Sequence, residues 1–191
     1  MTDSARIAGG LRDLAALASR VAGDTGALDA IVAAMRRCLS GGGTLFFAGN
    51  GGSAADAQHL AAEYVVRYRR GPQPALRAIA LTTDTSALTA AANDFGYEQV
   101  FARQLQALAR AGDLLVVHST SGESANCIEA VRAARTLGVT TVGFLGAGGG
   151  ALASLVDHAF VVPDDRVNHV QEIHLAVAHQ ITAILTGERT G

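Results

Sequence analysis

The chain has 191 residues, 49% of them hydrophobic and 17% charged, with a formal net charge of -2. Such a chain can bury a sizeable core and is not disordered, and its near-neutral balance argues against electrostatic capture of nucleic acid. No apolar run reaches the roughly 18 residues of a membrane span, and no N-terminal stretch has the basic-then-apolar pattern of a signal peptide.

The expectation is therefore a single domain over 1–191, cytoplasmic, with neither nucleic acid nor membrane as partner. So little charge with so many alanines suggests that some surface is buried in an oligomer. Cys38 and Cys127 have no metal-ligand spacing and read as buried apolar thiols in a reducing compartment.

Residues 4–21 carry Ile7, Leu11, Leu14, Leu17 and Val21 on one helical face. A second helix begins near Ala27 (Leu28, Ile31, Val32, Met35) and is stopped by Ser40 and three glycines. The apolar run 44–48 reads as the first strand, with a glycine-rich turn and a helix over 53–68 behind it. Arg67, Arg69 and Arg70 then lead to the break at Gly71-Pro72. A second strand is expected at 76–81 and a short helix at 86–92, capped from Thr82-Thr83-Asp84-Thr85. Asn93 to Gly96 reads as a turn, followed by a helix from Tyr97 to Ala111. Strands at 114–117, 140–145 and 159–162 alternate with helices at 124–137 and 151–155, and a last helix runs from about Val167 to Leu185. This alternation predicts an α/β fold with right-handed crossovers and a parallel sheet covered on both faces. Ligands bind such sheets at the strands' C-terminal ends.

Two turns fall there. The first, Gly49-Asn50-Gly51-Gly52-Ser53, joins a strand to a helix N-terminus. Glycines let a backbone approach closely, and the free N–H groups and helix dipole favour an anion. Asp56, His59 and Glu63 share one face of the helix that follows, at i, i+3 and i+7. The second turn places Ser119, Thr120, Ser121 and Ser124 within six residues. A helix N-cap needs one hydroxyl, so capping leaves the rest of the cluster unexplained. Neutral donors around backbone N–H groups suit a phosphomonoester. Neither a Walker-type lysine nor a GxGxxG before a helix is present, which disfavours nucleotide chemistry. Glu123, inside this turn, is expected to face solvent. The last helix carries His169, Gln171, Glu172, His174 and His179 among apolar residues. Singly each reads as a hydrogen-bonded core group, but together they demand partners.

Four segments resemble the SIS (sugar isomerase) domain, specifically the phosphoheptose isomerases: GNGGSAADAQHLAAE at 49–63, ANDFGYEQVFARQ at 92–104, STSGESAN at 119–126 and VQEIHLAVAH at 170–179. The resemblance implies a five-stranded parallel sheet flanked by helices, two of them before the first strand. It also implies a homotetramer with sites at subunit interfaces. It further implies aldose–ketose isomerisation of sedoheptulose 7-phosphate to a D-glycero-D-manno-heptose 7-phosphate through an enediol. By position, Ser53, Ser119, Thr120, Ser121 and Ser124, with Gly51 and Gly52, match the phosphate ligands. Asn50, Asp56, Arg67 and Asp94 match residues lining the sugar cleft. Glu63 and His179 match the catalytic pair, and His59, Glu63, Gln171 and His179 match the ligands of a zinc ion. The chain departs from the family at Asn168-His169, where Asp-Arg is frequent, and at Glu123, where Asn is usual. A non-catalytic SIS adaptor that binds a replication initiator, or a phosphosugar sensor, is the competing expectation. The presence of both Glu63 and His179 favours the enzyme.

Overall fold

The structure is a computed structural model in which residues 1–187 are described. Two helices, α1 (Asp3–Ala22) and α2 (Gly26–Ser40), precede the first strand. Alternating elements follow: β1 (Leu45–Gly49), α3 (Gly52–Val65), β2 (Ala78–Ala80), α4 (Thr85–Phe95), α5 (Val100–Leu108), β3 (Leu114–Ser119), α6 (Ala125–Thr136), β4 (Thr140–Leu145), α7 (Leu152–Leu155), β5 (His158–Val161) and α8 (Val167–Leu185). The five strands form one sheet in the order β2-β1-β3-β4-β5, every pair parallel. Every residue of β1 and of β3 is buried, as strands covered on both faces must be.

Alternate residues of β1 serve different layers. Leu45 and Phe47 face a core built by α1, α2, α3 and α8. Phe46 and Ala48 face a second core built by α4, α5, α6 and α7. Phe47 stacks on Tyr64 of α3 with ring centroids 5.9 Å apart, so α3 is held against the sheet by an aromatic pair as well as by aliphatic contact. The loops entering β1 and β3 are tied by Asp113, which is 2% exposed. Its carboxylate accepts the N–H groups of Thr44 at 2.7 Å and Arg110 at 2.8 Å.

The chain leaves β1 through α3 to reach β2 on one side, then crosses to β3 on β1's other side. The order reverses between β1 and β3, which makes a crevice at their C-terminal ends. Both polar turns open onto that crevice.

Several element boundaries differ from the sequence pattern. α3 stops at Val65 rather than residue 68, because Gln73 takes over its end: the Gln73 side chain donates to the Glu63 carbonyl and accepts from the Tyr68 N–H. β2 is shorter than 76–81, and Leu76 donates instead to the Tyr64 carbonyl. Asn93 to Phe95, expected as a turn, is the last turn of α4. That helix is capped by Asp84 through Ala87 N–H at 2.9 Å and ended by Gly96 at φ 92°. The expected helix 97–111 begins as a 3-10 turn over Tyr97–Gln99 and ends at Leu108. Cys38 and Cys127 are buried, and burial pushes their thiols up to about 11 and about 12, the Asp113 charge adding at Cys38. Both are therefore inert thiols.

Candidate active site

The first turn follows β1. Gly51, at φ 57°, swings the backbone into α3. Ser53 is 3% exposed and packs its own backbone against Gly49. The second turn follows β3. The Ser119 hydroxyl accepts the Gly122 N–H at 3.0 Å and lies 3.3 Å from the Ser124 hydroxyl. The Ser121 hydroxyl accepts the Glu123 N–H at 3.2 Å. Part of the hydroxyl cluster thus shapes its own loop. Gly122 is required here: its φ is +69°, and a Cβ would stand 2.0 Å from the Gly149 carbonyl oxygen of the following glycine loop. Glu123 is exposed as expected, but its carboxylate is not idle, since Oε1 accepts the Ala151 N–H at 2.7 Å.

The ionisable groups lie further down the helices. Gln171 of α8 covers Gly52, where a Cβ would sit 2.6 Å from its Oε1. One end of the α3–α8 pair is fixed by that contact. At the other end His59 Nε2 lies 2.8 Å from His179 Nε2 and 3.4 Å from Glu63 Oε1. α3 and α8 therefore run side by side in the same direction. From Ser53 to His59 is about 9 Å of helix, roughly the reach of a phosphorylated sugar chain. The Tyr68 ring packs 5.8 Å from the His179 ring.

Donor atoms of His59, Glu63 and His179 all lie within 4.8 Å of one another. These are nitrogen and carboxylate donors of the kind a zinc ion takes. A further observation fits a cation there: Glu63 Oε2 is buried with no hydrogen-bond partner. The two imidazole nitrogens at 2.8 Å share a hydrogen bond, one ring donating and the other accepting. Burial lowers the pKa of His179 and the neighbouring His59 lowers it further, against the opposing pull of Glu63. His179 is therefore neutral near pH 7, the form that ligates metal or accepts a proton. Asp56, one turn before His59, has an unpartnered Oδ2, and burial raises its pKa against the influence of His59.

Within the protomer the structure unites His59, Glu63 and His179, and sets Gln171 over the first turn at Gly52. Arg67 is exposed past the end of α3, and Asp94 is exposed in the last turn of α4, where its Oδ1 accepts from Asn93. Among the described residues, neither is tied to the triad by a hydrogen bond or ion pair. His169 and His174 of α8 are buried core groups. Sequence reasoning gave no role to Asn126, Tyr97 or Tyr68. Asn126 sits inside the quoted serine motif, and its amide at a helix start was the available signal. Among the described residues no helix is long and apolar enough to cross a membrane.

The profile of the SIS domain family matches residues 11–146. A phosphoheptose isomerase of Roseiflexus sp. (strain RS-1) is 57% identical over 149 residues, which is 78% of this chain and 74% of that protein. Two solved phosphoheptose isomerases share the fold along the chain. The one from Neisseria gonorrhoeae is 39% identical, with TM-score 0.89 over 96% of this chain and 98% of that one. The one from Francisella tularensis is 33% identical, with TM-score 0.92 over 97% and 99%. Strand order, twin polar turns and sequence identity agree: this chain belongs to the SIS domain family and, within it, to the phosphoheptose isomerases, enzymes that isomerise a sugar phosphate.

Proposed function

We propose that the chain, acting as one domain over 1–191, converts sedoheptulose 7-phosphate to a D-glycero-D-manno-heptose 7-phosphate. The observation that carries this reading is the convergence of Glu63 from α3 and His179 from α8, with His59 between them, on a helix pair that starts at the first polar turn. An adaptor has no need of such a cluster.

The phosphate is held by backbone N–H groups and hydroxyls of Ser53, Thr120, Ser121 and Ser124, with Ser119 bracing the second turn and Gly51 and Gly52 allowing close approach. Asn50, Asp56, Arg67 and Asp94 serve the sugar hydroxyls. Arg67 and Asp94, exposed at element ends, are placed to serve a site completed by a neighbouring copy, consistent with a homotetramer. The cell compartment is the cytoplasm.

The ketose has its carbonyl at C2 and two hydrogens on C1. The Glu63 carboxylate removes one C1 proton, and the C1–H electron pair forms the C1–C2 double bond of an enediol as the C2 oxygen gains a proton. Glu63 then returns a proton to C2, and the C1 hydroxyl loses its proton to leave the aldehyde. Neutral His179 both gives and takes the oxygen protons, as an imidazole with two ring nitrogens can. Glu63 has an oxygen for each demand: Oε1 faces His59, and Oε2 has no protein partner. His59, Glu63 and His179 would hold a zinc ion, which when bound supplies positive charge beside the substrate oxygens; Gln171, expected as a fourth ligand, instead lies over Gly52, about two helical turns from His179.

The test is NMR of the protein with sedoheptulose 7-phosphate, with and without added zinc. The wild type should form the aldose, and Glu63→Gln or His179→Ala should lower the rate by about 10²–10⁴. An inactive wild type, or variants as fast as the wild type, would overturn the proposal.

A further inference from the structure

We propose that Asn126 and Tyr97 are positioning residues that fix the separation of the two phosphate turns. The inference rests on reading those turns as a phosphate cradle.

Asn50 ends the strand side of the first turn, and Asn126 lies in the first turn of α6, beyond the second. Their side-chain amides exchange two hydrogen bonds: Asn50 Nδ2 donates to Asn126 Oδ1 at 2.9 Å, and Asn126 Nδ2 donates to Asn50 Oδ1 at 2.8 Å. The Tyr97 hydroxyl donates to the same Asn50 Oδ1 at 3.1 Å. Asn126 is 2% exposed, whereas Tyr97 is 59% exposed. The clasp spans the crevice where the strand order reverses, and it joins three segments: the β1–α3 turn, the start of α6 and the corner between α4 and α5.

A reciprocal amide pair is planar and holds both its distance and its tilt, unlike an apolar contact, which tolerates sliding. A single anion bound by N–H groups from two turns needs both at fixed spacing, and an error near 1 Å is costly. The Asn50 side-chain oxygen has two lone pairs and receives two donors, so its acceptor capacity is filled and the second Nδ2 hydrogen is what it offers a sugar hydroxyl. Asn126 and Tyr97 need not touch the ligand. They act through Asn50, which leaves their effect readable as affinity rather than as chemistry.

The variants are Tyr97→Phe, which keeps the exposed ring and loses only the hydroxyl, and Asn126→Ala, made in the full chain. The readouts are calorimetric binding of inorganic phosphate, KM and kcat with the sugar phosphate, thermal midpoint, and amide hydrogen exchange of residues 51–54 and 119–124. Tyr97→Phe should weaken phosphate binding and raise KM about 3- to 10-fold, the size of one hydrogen bond, with kcat and midpoint unchanged. Asn126→Ala should cost about 10- to 100-fold and quicken exchange in both turns together. The double variant should fall short of the product of the two, because both act on one oxygen. If Tyr97→Phe binds phosphate like the wild type, or loses affinity only in step with its midpoint, the clasp is merely structural and the inference fails alone. A wild type that ignores phosphate removes the cradle reading and the inference with it. Should Asn126→Ala fail to fold, Tyr97→Phe still decides.

Discussion

His118 projects from β3 into the core, 1% exposed, and neither of its ring nitrogens has a partner. It stacks on Phe144 at 4.9 Å and meets the His174 ring edge-on at 5.7 Å. His174, fully buried, has its Nε2 3.1 Å from the Leu145 carbonyl, which can only accept, so the proton sits on Nε2. Burial pushes His118 down to about 3, with repulsion from His174 adding. Burial also lowers His174 to about 4, the carbonyl hydrogen bond opposing. Both folded values lie below the 6.5 of an ordinary histidine. Between them and 6.5 the unfolded chain binds more protons, so stability is full above pH 6.5 and is lost as pH falls towards 4 and 3. At pH 5 each histidine costs about 2 kcal/mol relative to pH 7.5. His118→Leu removes one of these two liabilities and two unpartnered nitrogens, while keeping a buried side chain of similar size. The variant should be at least as stable at pH 7.5, and its loss on moving to pH 5 should be smaller by about 2 kcal/mol. Urea unfolding followed by circular dichroism at both pH values, at one protein concentration, measures this. Parallel losses in wild type and variant would show that His118 is solvated or paired in the folded state, and the reasoning would fall.

Substitutions at two positions probe the second turn. Gly122→Ala forces a side chain to φ +69° and drives its Cβ into the Gly149 carbonyl. It should cost about 2–5 kcal/mol, read from urea midpoints, and a loss below about 0.5 kcal/mol would contradict the contact. Glu123→Gln keeps an acceptor for the Ala151 N–H but removes a negative charge from the cradle. It should tighten inorganic phosphate about two- to fivefold, whereas Glu123→Ala should speed amide exchange at Ala151. Unchanged phosphate affinity in Glu123→Gln would mean the carboxylate is too remote or too screened to matter.

Much of the fold was legible because each strand is an apolar run too short for a helix and is followed by turn residues. The runs 44–48 and 114–117 read as buried parallel strands once helices separated them, and the strands themselves take in Gly49, His118 and Ser119 as well. The boundaries that moved share a physical cause. α3 ends at Val65 because of Gln73, a residue eight positions on, and α4 continues to Phe95 because Gly96 adopts a positive φ and ends it. Such endings depend on a partner side chain or a backbone angle, and neither has a periodic signature. The Gln104 side chain, which bonds the Leu81 carbonyl at 2.9 Å, is another long-range tie of this kind.

The candidate site divides in the same way. The glycine and serine turns were visible because a phosphate cradle is local: its donors are consecutive residues. The triad was half visible. His59 and Glu63 share a helix face by spacing alone, but His179 could join them only if α8 lay beside α3 in the same direction, which no pattern within either helix states. The resemblance supplied that pairing, and the structure explains it. Gln171 covers Gly52 at one end, and eight residues later His179 reaches His59, seven residues beyond Gly52. The near-equal steps keep two parallel helices in register over two turns. The two polar turns lie at the C-terminal ends of the interior strands β1 and β3, while the ionisable groups lie about 9 Å further along a helix pair. On the proposed function, a seven-carbon sugar phosphate anchored at the turns would span this distance to the triad.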